Sequence, residues 1–115
     1  MFRLTRKQVR ATYTHLRQFP PFCRWGLPPE DKIIFRVVGS RAVYGRYVYD
    51  DRHSIEISHY NVKHLHQLTL TMAHEMIHLR QELTKTDNRS QHNREFMRLA
   101  KRVCLILGFD SRGFT

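Results

Sequence analysis

One segment of the chain has the residue types and the spacing of a hydrolytic metal centre. It reads His74-Glu75-Met76-Ile77-His78, an HExxH motif. Residues four apart share one face of a helix, so the two imidazoles can bind the same metal ion. Glu75 lies about 100° around the helix from His74 and about 60° from His78. Its carboxylate therefore lies beside the metal, where it can take the proton of a metal-held water attacking a carbonyl. The motif predicts a zinc metalloprotease site.

A catalytic zinc site takes three protein ligands and keeps a fourth position open. His92 and Glu95, which follow the motif in the chain, could each supply the third ligand if their helix packs against the helix of the motif. Spacing alone does not choose between them.

Hydrophobic periodicity predicts the elements that position these residues. Three helices are expected, at residues 3–19, 62–83 and 92–107, with Gly108 ending the last one. Residues 84–91 are polar and predict a loop. Branched and aromatic residues with short breaks between them predict three antiparallel strands, at residues 33–38, 42–49 and 53–58. The predicted fold class is α+β.

Size and charge restrict the partners. The chain has 115 residues and a net charge of +10, which predicts a single domain, residues 1–115, attracted to polyanions such as nucleic acid. The alternative is a basic surface with no particular partner. The cations expected to contact nucleic acid lie on the outer faces of the first and last helices. They are Arg3, Arg6, Lys7, Arg10, Arg17, Arg94, Arg98, Lys101 and Arg102.

The cysteines and the N-terminus indicate the compartment. Cys23 and Cys104 are far apart in the chain and form no CxxC pair, so they predict neither a disulfide framework nor a four-cysteine zinc ribbon. The basic N-terminus is not followed by an apolar segment of the kind found in secretory leaders. We expect a cytoplasmic protein, associated with the nucleoid if its source is a bacterium or a phage.

The chain resembles the SprT-like metalloproteases, the family of bacterial SprT and eukaryotic Spartan. The specific part is the HExxH motif followed by His92-Asn93-Arg94-Glu95-Phe96, similar to the family's His-Gly-x-x-Phe element. The resemblance implies a minimal zincin-like fold, zinc ligands His74, His78 and His92, and Glu75 as the general base. Asn93 replaces the family glycine. The zinc ribbon and recruitment tails of larger relatives are missing, so we expect a catalytic core, of bacterial or phage type.

The same resemblance implies a substrate. Spartan-type members cleave proteins on DNA, including crosslinked ones, and the net charge of +10 agrees with such a role. Peptide substrates commonly add a strand to an exposed sheet edge, and residues 53–58 are the predicted edge strand. His53, Ile55 and Ile57 are thus the predicted substrate-binding residues. The sequence does not identify the oxyanion-stabilising group, for which Arg94, Tyr44, Tyr47 and Tyr49 are candidates.

Two other functions fit the same residues. The first is a basic nucleic-acid-binding module whose zinc is structural. The second is a regulatory protease of another zincin family that DNA does not stimulate. Substitution of Glu75 separates the first from a protease, because a structural zinc site needs no carboxylate beside it. The second would differ in lacking stimulation by DNA.

Overall fold

The computed structural model describes residues 2–87 and 92–114. It is an α+β fold of three helices and one three-stranded sheet. Residues 88–91, which belong to the predicted polar loop, lie outside the described residues. The elements in chain order are α1 (Arg6–Arg17), β1 (Ile33–Val38), β2 (Gly45–Asp50), β3 (Arg52–Ser58), α2 (Leu65–Thr84) and α3 (Arg94–Leu107). The predicted bounds of β1 are confirmed, and Gly108 ends α3 with a φ of 76°.

The sheet is mixed, and its strand order is β1-β3-β2. β3 runs parallel to β1 and antiparallel to β2. The prediction of an antiparallel sheet was therefore wrong, and so was the assignment of residues 53–58 to an edge strand. The connection at residues 39–44 is long enough to carry β2 past the central position. Ile55 and Ile57, both without exposed surface, make β3 the strand best suited to the centre because its inner face is apolar.

α1 and α2 both pack against the sheet and contact each other. Tyr13 of α1 lies against Phe35 of β1, with ring centroids 5.4 Å apart. α2 contacts β2 and β3, and its buried side chains include Met72, Met76 and Leu79. Because α2 is apolar on most of its circumference, it lies between the sheet and α3 and forms the centre of the domain.

The first helix uses some of its cations for packing. A capping box between Thr5 and Gln8 begins α1, so Arg3 precedes the helix. Arg6 Nε donates a hydrogen bond to the Phe35 carbonyl at 3.1 Å, and Arg17 Nε donates to the Leu27 carbonyl at 3.0 Å. These two guanidinium groups hold α1 to its neighbours. Among the described residues, no helix has both the length and the apolar character needed to cross a membrane.

Candidate metal centre and cleft

Two of the three predicted metal ligands lie one turn apart on α2. The ring centroids of His74 and His78 are 5.1 Å apart, and both side chains are half-buried. Burial lowers the pKa of both imidazoles, that of His78 to about 3, and the neighbouring histidines add to this effect. Both rings are therefore neutral at neutral pH, which is the form that binds a metal.

His92 completes the cluster from just before α3. Its Nε2 lies 3.2 Å from His74 Nε2, and one nitrogen from each of the three rings lies within 4.8 Å of the others. Glu95, the other candidate for a third ligand, instead accepts two hydrogen bonds from Arg98, at 2.6 and 2.9 Å. The fold thus brings His92, rather than Glu95, to the histidine pair.

Asn93 holds His92 in place. Its φ of −72° is open to any residue, so this position does not require the family glycine. Asn93 Oδ1 accepts hydrogen bonds from the Phe96 N–H at 2.9 Å and from Gln81 Nε2 at 3.0 Å. Since Gln81 is a buried residue of α2, this side chain both caps α3 and ties it to the helix of the motif.

The Phe96 ring and the Phe114 main-chain carbonyl orient the imidazole rings. The Phe96 ring lies 4.4 to 4.9 Å from the ring centroids of all three histidines. His74 Nδ1 lies 3.1 Å from the carbonyl oxygen of Phe114. Because a carbonyl only accepts, Nδ1 carries the proton and Nε2 keeps its lone pair for a metal.

Glu75 lies on the same helix but is almost fully buried, with 4% of its surface exposed. Burial raises the pKa of this carboxyl to about 8, although a hydrogen bond from the Tyr47 N–H opposes the shift. Without a metal this carboxyl is therefore mostly protonated at neutral pH, and a cation held by the histidines would favour its ionised form.

Gly45 allows β2 to approach Glu75. A Cβ at this position would lie 2.6 Å from Thr71 Cγ2 and 3.2 Å from Glu75 Oε2. Any side chain here would therefore push the strand away from α2 at the point where Tyr47 contacts the carboxylate.

The histidine cluster and Glu75 open into a cleft of about 780 Å³ between β2, α2 and the C-terminal segment. Tyr47 and Tyr49 of β2 line one wall together with Tyr44, which directly precedes the strand, and Gly113 and Phe114 close one end. β2 is an edge strand of the described sheet, so the edge beside the cleft belongs to β2 and not to β3.

This arrangement corrects the predicted substrate-binding residues. Ile55 and Ile57 have no exposed surface and belong to the hydrophobic core, so their side chains are not accessible to a substrate. His53 is half-buried, and its Nδ1 shares a hydrogen bond of 2.6 Å with the Tyr47 hydroxyl. His53 is therefore connected to the cleft by its hydrogen bond to Tyr47, which lines the cleft.

The predicted nucleic-acid-binding cations lie on α1 and α3, except Arg3, which precedes α1. On α3, Arg94, Lys101 and Arg102 are exposed, whereas Arg98 is paired with Glu95. On α1, Lys7 and Arg10 are exposed, whereas Arg6 and Arg17 bond to main-chain carbonyls. Their role towards nucleic acid stays a prediction.

Sequence reasoning missed three contributors to the site, namely Gly45, the Tyr47 N–H and the Phe114 carbonyl. A glycine between tyrosines in a strand pattern is a signal of close backbone approach, so Gly45 could have been found. The other two act through main-chain atoms, so the residue types at those positions do not predict their roles.

One comparison with known proteins found a match. The SprT-like family model matches residues 8–111, nearly the whole chain. The search of curated proteins and the search of solved structures found no match.

Proposed function

The chain belongs to the SprT-like family, whose members are generally metalloprotease-like domains, and from this premise we propose that it is a zinc-dependent endopeptidase. The observation that carries the proposal is the convergence of three imidazole nitrogens beside a buried carboxylate in an open cleft. The packing of α2 against its neighbours does not by itself require three histidines and a carboxylate to meet at one place.

The donor set fits zinc. Three neutral imidazoles with room for a fourth position are a common catalytic zinc arrangement. His74, His78 and His92 would hold the ion, with the Phe114 carbonyl and Phe96 orienting them. When bound, zinc would supply a Lewis acid that polarises the substrate carbonyl and increases the acidity of a coordinated water.

Glu75 would act as the general base. A cation held by the histidines would favour the ionised form of Glu75, and the carboxylate could then take a proton from the attacking water and deliver it to the leaving amine. The Tyr47 N–H keeps the carboxylate aimed at the cleft, because it donates to it from β2.

The substrate would bind along β2. An extended peptide can add to the edge of this strand through main-chain hydrogen bonds, and the strand runs along the wall of the cleft. This mode of binding recognises the main chain of the substrate rather than its side chains, so it suits flexible segments of many proteins. We therefore propose protein segments in extended conformation as the substrate class.

The association with DNA also stays a proposal. A net charge of +10 favours binding to a polyanion, and a protease held on DNA would meet proteins bound or crosslinked to the same strand. Substrate and enzyme would then be brought together on one polyanion.

The test compares the zinc-loaded wild type with Glu75→Gln and His92→Ala on an unfolded, fluorescently labelled protein substrate. We expect Glu75→Gln to bind zinc normally and to lose at least about a hundredfold in cleavage rate. His92→Ala should lose both zinc and cleavage.

The alternatives predict other results. Normal cleavage by Glu75→Gln would exclude the proposed mechanism. Zinc in a wild type that cleaves nothing, with intact nucleic-acid binding, would favour the structural zinc module. Cleavage that DNA does not stimulate would favour a regulatory protease of another kind.

A further inference from the structure

A second surface, outside the cleft, combines stacked planar side chains with positive charge. The guanidinium carbon of Arg41 lies 4.7 Å from the ring centroid of Tyr60. The His59 ring lies 4.6 Å from the same ring, at an interplanar angle of 30°. Tyr60 is 40% exposed, and Arg41 and His59 are exposed as well. We call these three residues the stacking patch.

The backbone beneath the patch is shaped to hold it. A Cβ at Gly39 would lie 3.2 Å from His59 Nε2 and 3.4 Å from Tyr60 Cε2. The absence of a side chain at Gly39 thus lets both rings lie close to the end of β1. The planar groups keep their place while their surface stays open to solvent.

The surroundings of the patch are positively charged. His59 also lines a shallow cavity of about 400 Å³ together with Arg3 and Lys63. Among the described residues that line this cavity, none is acidic. The sequence has no Asp or Glu in residues 1–29, 33–49 or 57–74, the segments that supply these cations. Such a surface attracts a polyanion.

The patch is tied to the wall of the cleft. Asn61 Nδ2 donates to the Val43 carbonyl at 2.8 Å, and the Ser58 N–H donates to the Tyr44 carbonyl at 2.8 Å. Tyr44 lines the cleft and is 53% exposed. A ligand on the patch would therefore lie beside the entrance of the cleft.

We propose that the stacking patch binds single-stranded nucleic acid. Unpaired bases stack on aromatic rings and guanidinium planes, while a duplex hides those base faces. Arg3 and Lys63 would meet the phosphates. The inference deepens the proposed association with DNA and rests on it, but it does not depend on proteolysis.

The patch suits this ligand better than the helix faces do. Of the cations on α1, Arg6 and Arg17 already bond to carbonyls, and the exposed Lys7 and Arg10 contribute charge without the paired aromatic rings of the patch. A contact of charge alone would bind duplex phosphates as well.

The test is fluorescence anisotropy of a labelled oligothymidylate of about 15 nucleotides with the zinc-loaded protein at low salt. We expect Tyr60→Ala to weaken binding about tenfold, and Tyr60→Phe, which keeps the ring, to bind within about twofold of the wild type. The double variant Lys7→Ala/Arg10→Ala is the matched control for charge on α1, and its loss should be smaller. A duplex of the same length should compete poorly.

Each contrary result identifies what fails. If the wild type does not bind the oligonucleotide, both this inference and the association with DNA are wrong, while zinc content and Glu75-dependent cleavage still test the protease. If Tyr60→Ala binds normally and Lys7→Ala/Arg10→Ala does not, the patch is wrong and the helix face is the contact. Equal competition by duplex would exclude stacking.

Discussion

His74 Nδ1 donates a hydrogen bond to the main-chain carbonyl oxygen of Phe114, 40 residues further along the chain, at 3.1 Å. The bond fixes the tautomer of the imidazole, so that its Nε2 faces His92 Nε2. The Phe114 side chain, 5% exposed, stacks on Phe109 with ring centroids 5.8 Å apart. The C-terminal segment thus orients a candidate metal ligand on α2.

From this relationship we expect Phe114 to contribute to zinc affinity. Phe114→Ala removes the buried ring that holds the carbonyl in place, and loss of such an outer hydrogen bond weakens metal binding by about 10- to 100-fold. Competition with a chromophoric chelator measures the affinity. Leu105→Ala, on the exposed face of α3, is the control and should bind zinc like the wild type. Unchanged affinity in Phe114→Ala would mean that His74 needs no support from this segment.

Glu75 makes the stability of the metal-free protein depend on pH. Its pKa is raised from 4.5 to about 8, so it contributes stability that is fully present below pH 4.5 and is lost as the pH rises through 8. Glu75→Gln has no such group. We expect its free energy of unfolding, relative to the wild type, to rise with pH across this window by at most about 1.4 kcal/mol per pH unit.

Denaturant titrations of both proteins in chelator at several pH values measure this difference. The difference isolates Glu75 because His74 and His78 are present in both proteins. Their lowered pKa values give stability that is lost as the pH falls. Bound zinc should flatten the slope, since a cation favours the carboxylate. A difference that stays constant with pH would contradict the raised pKa.

Gly45 should tolerate no side chain. In Gly45→Ala the new Cβ would overlap Thr71 Cγ2 and crowd the Glu56 carbonyl at 3.0 Å, which costs about 1–3 kcal/mol of stability. Cleavage should fall as well, because Tyr47 would move away from Glu75. Gly113→Ala is the control, since a Cβ there meets nothing within 4 Å. Adding Thr71→Ser, which removes the overlapping methyl group, should recover part of the loss in thermal or denaturant unfolding.

We expect replacement of Asn93 by alanine to lower both the free energy of unfolding and the affinity for zinc. Asn93→Ala removes the cap of α3 and leaves buried Gln81 Nε2 without its closest acceptor, a loss of about 1–3 kcal/mol. Zinc affinity should fall with it because His92 is the adjacent residue. Asn93→Asp keeps the acceptor oxygen and should retain most of both. If alanine and aspartate behave alike, the side-chain acceptor is not what positions His92.

The sequence by itself determined the parts of this protein that depend on local spacing. Four residues make one helical turn, so the HExxH motif placed His74 and His78 on one face of a helix before any tertiary contact was known. The bounds of β1 and the end of α3 at Gly108 likewise follow from side chains near each position. The resemblance to the SprT-like family, confirmed by the family match over residues 8–111, also rests on such local patterns.

Only the tertiary structure decided what depends on distant segments meeting. Strand order follows from competition for the buried centre of the sheet, which β3 occupies with Ile55 and Ile57, so the edge beside the cleft belongs to β2. His92 and Glu95 are three residues apart, and the packing of α3 on α2 brought the first to the histidine pair. The Phe114 carbonyl and the Tyr47 N–H are main-chain groups common to almost every residue. Their roles arise from where the fold places them and leave no mark in the sequence.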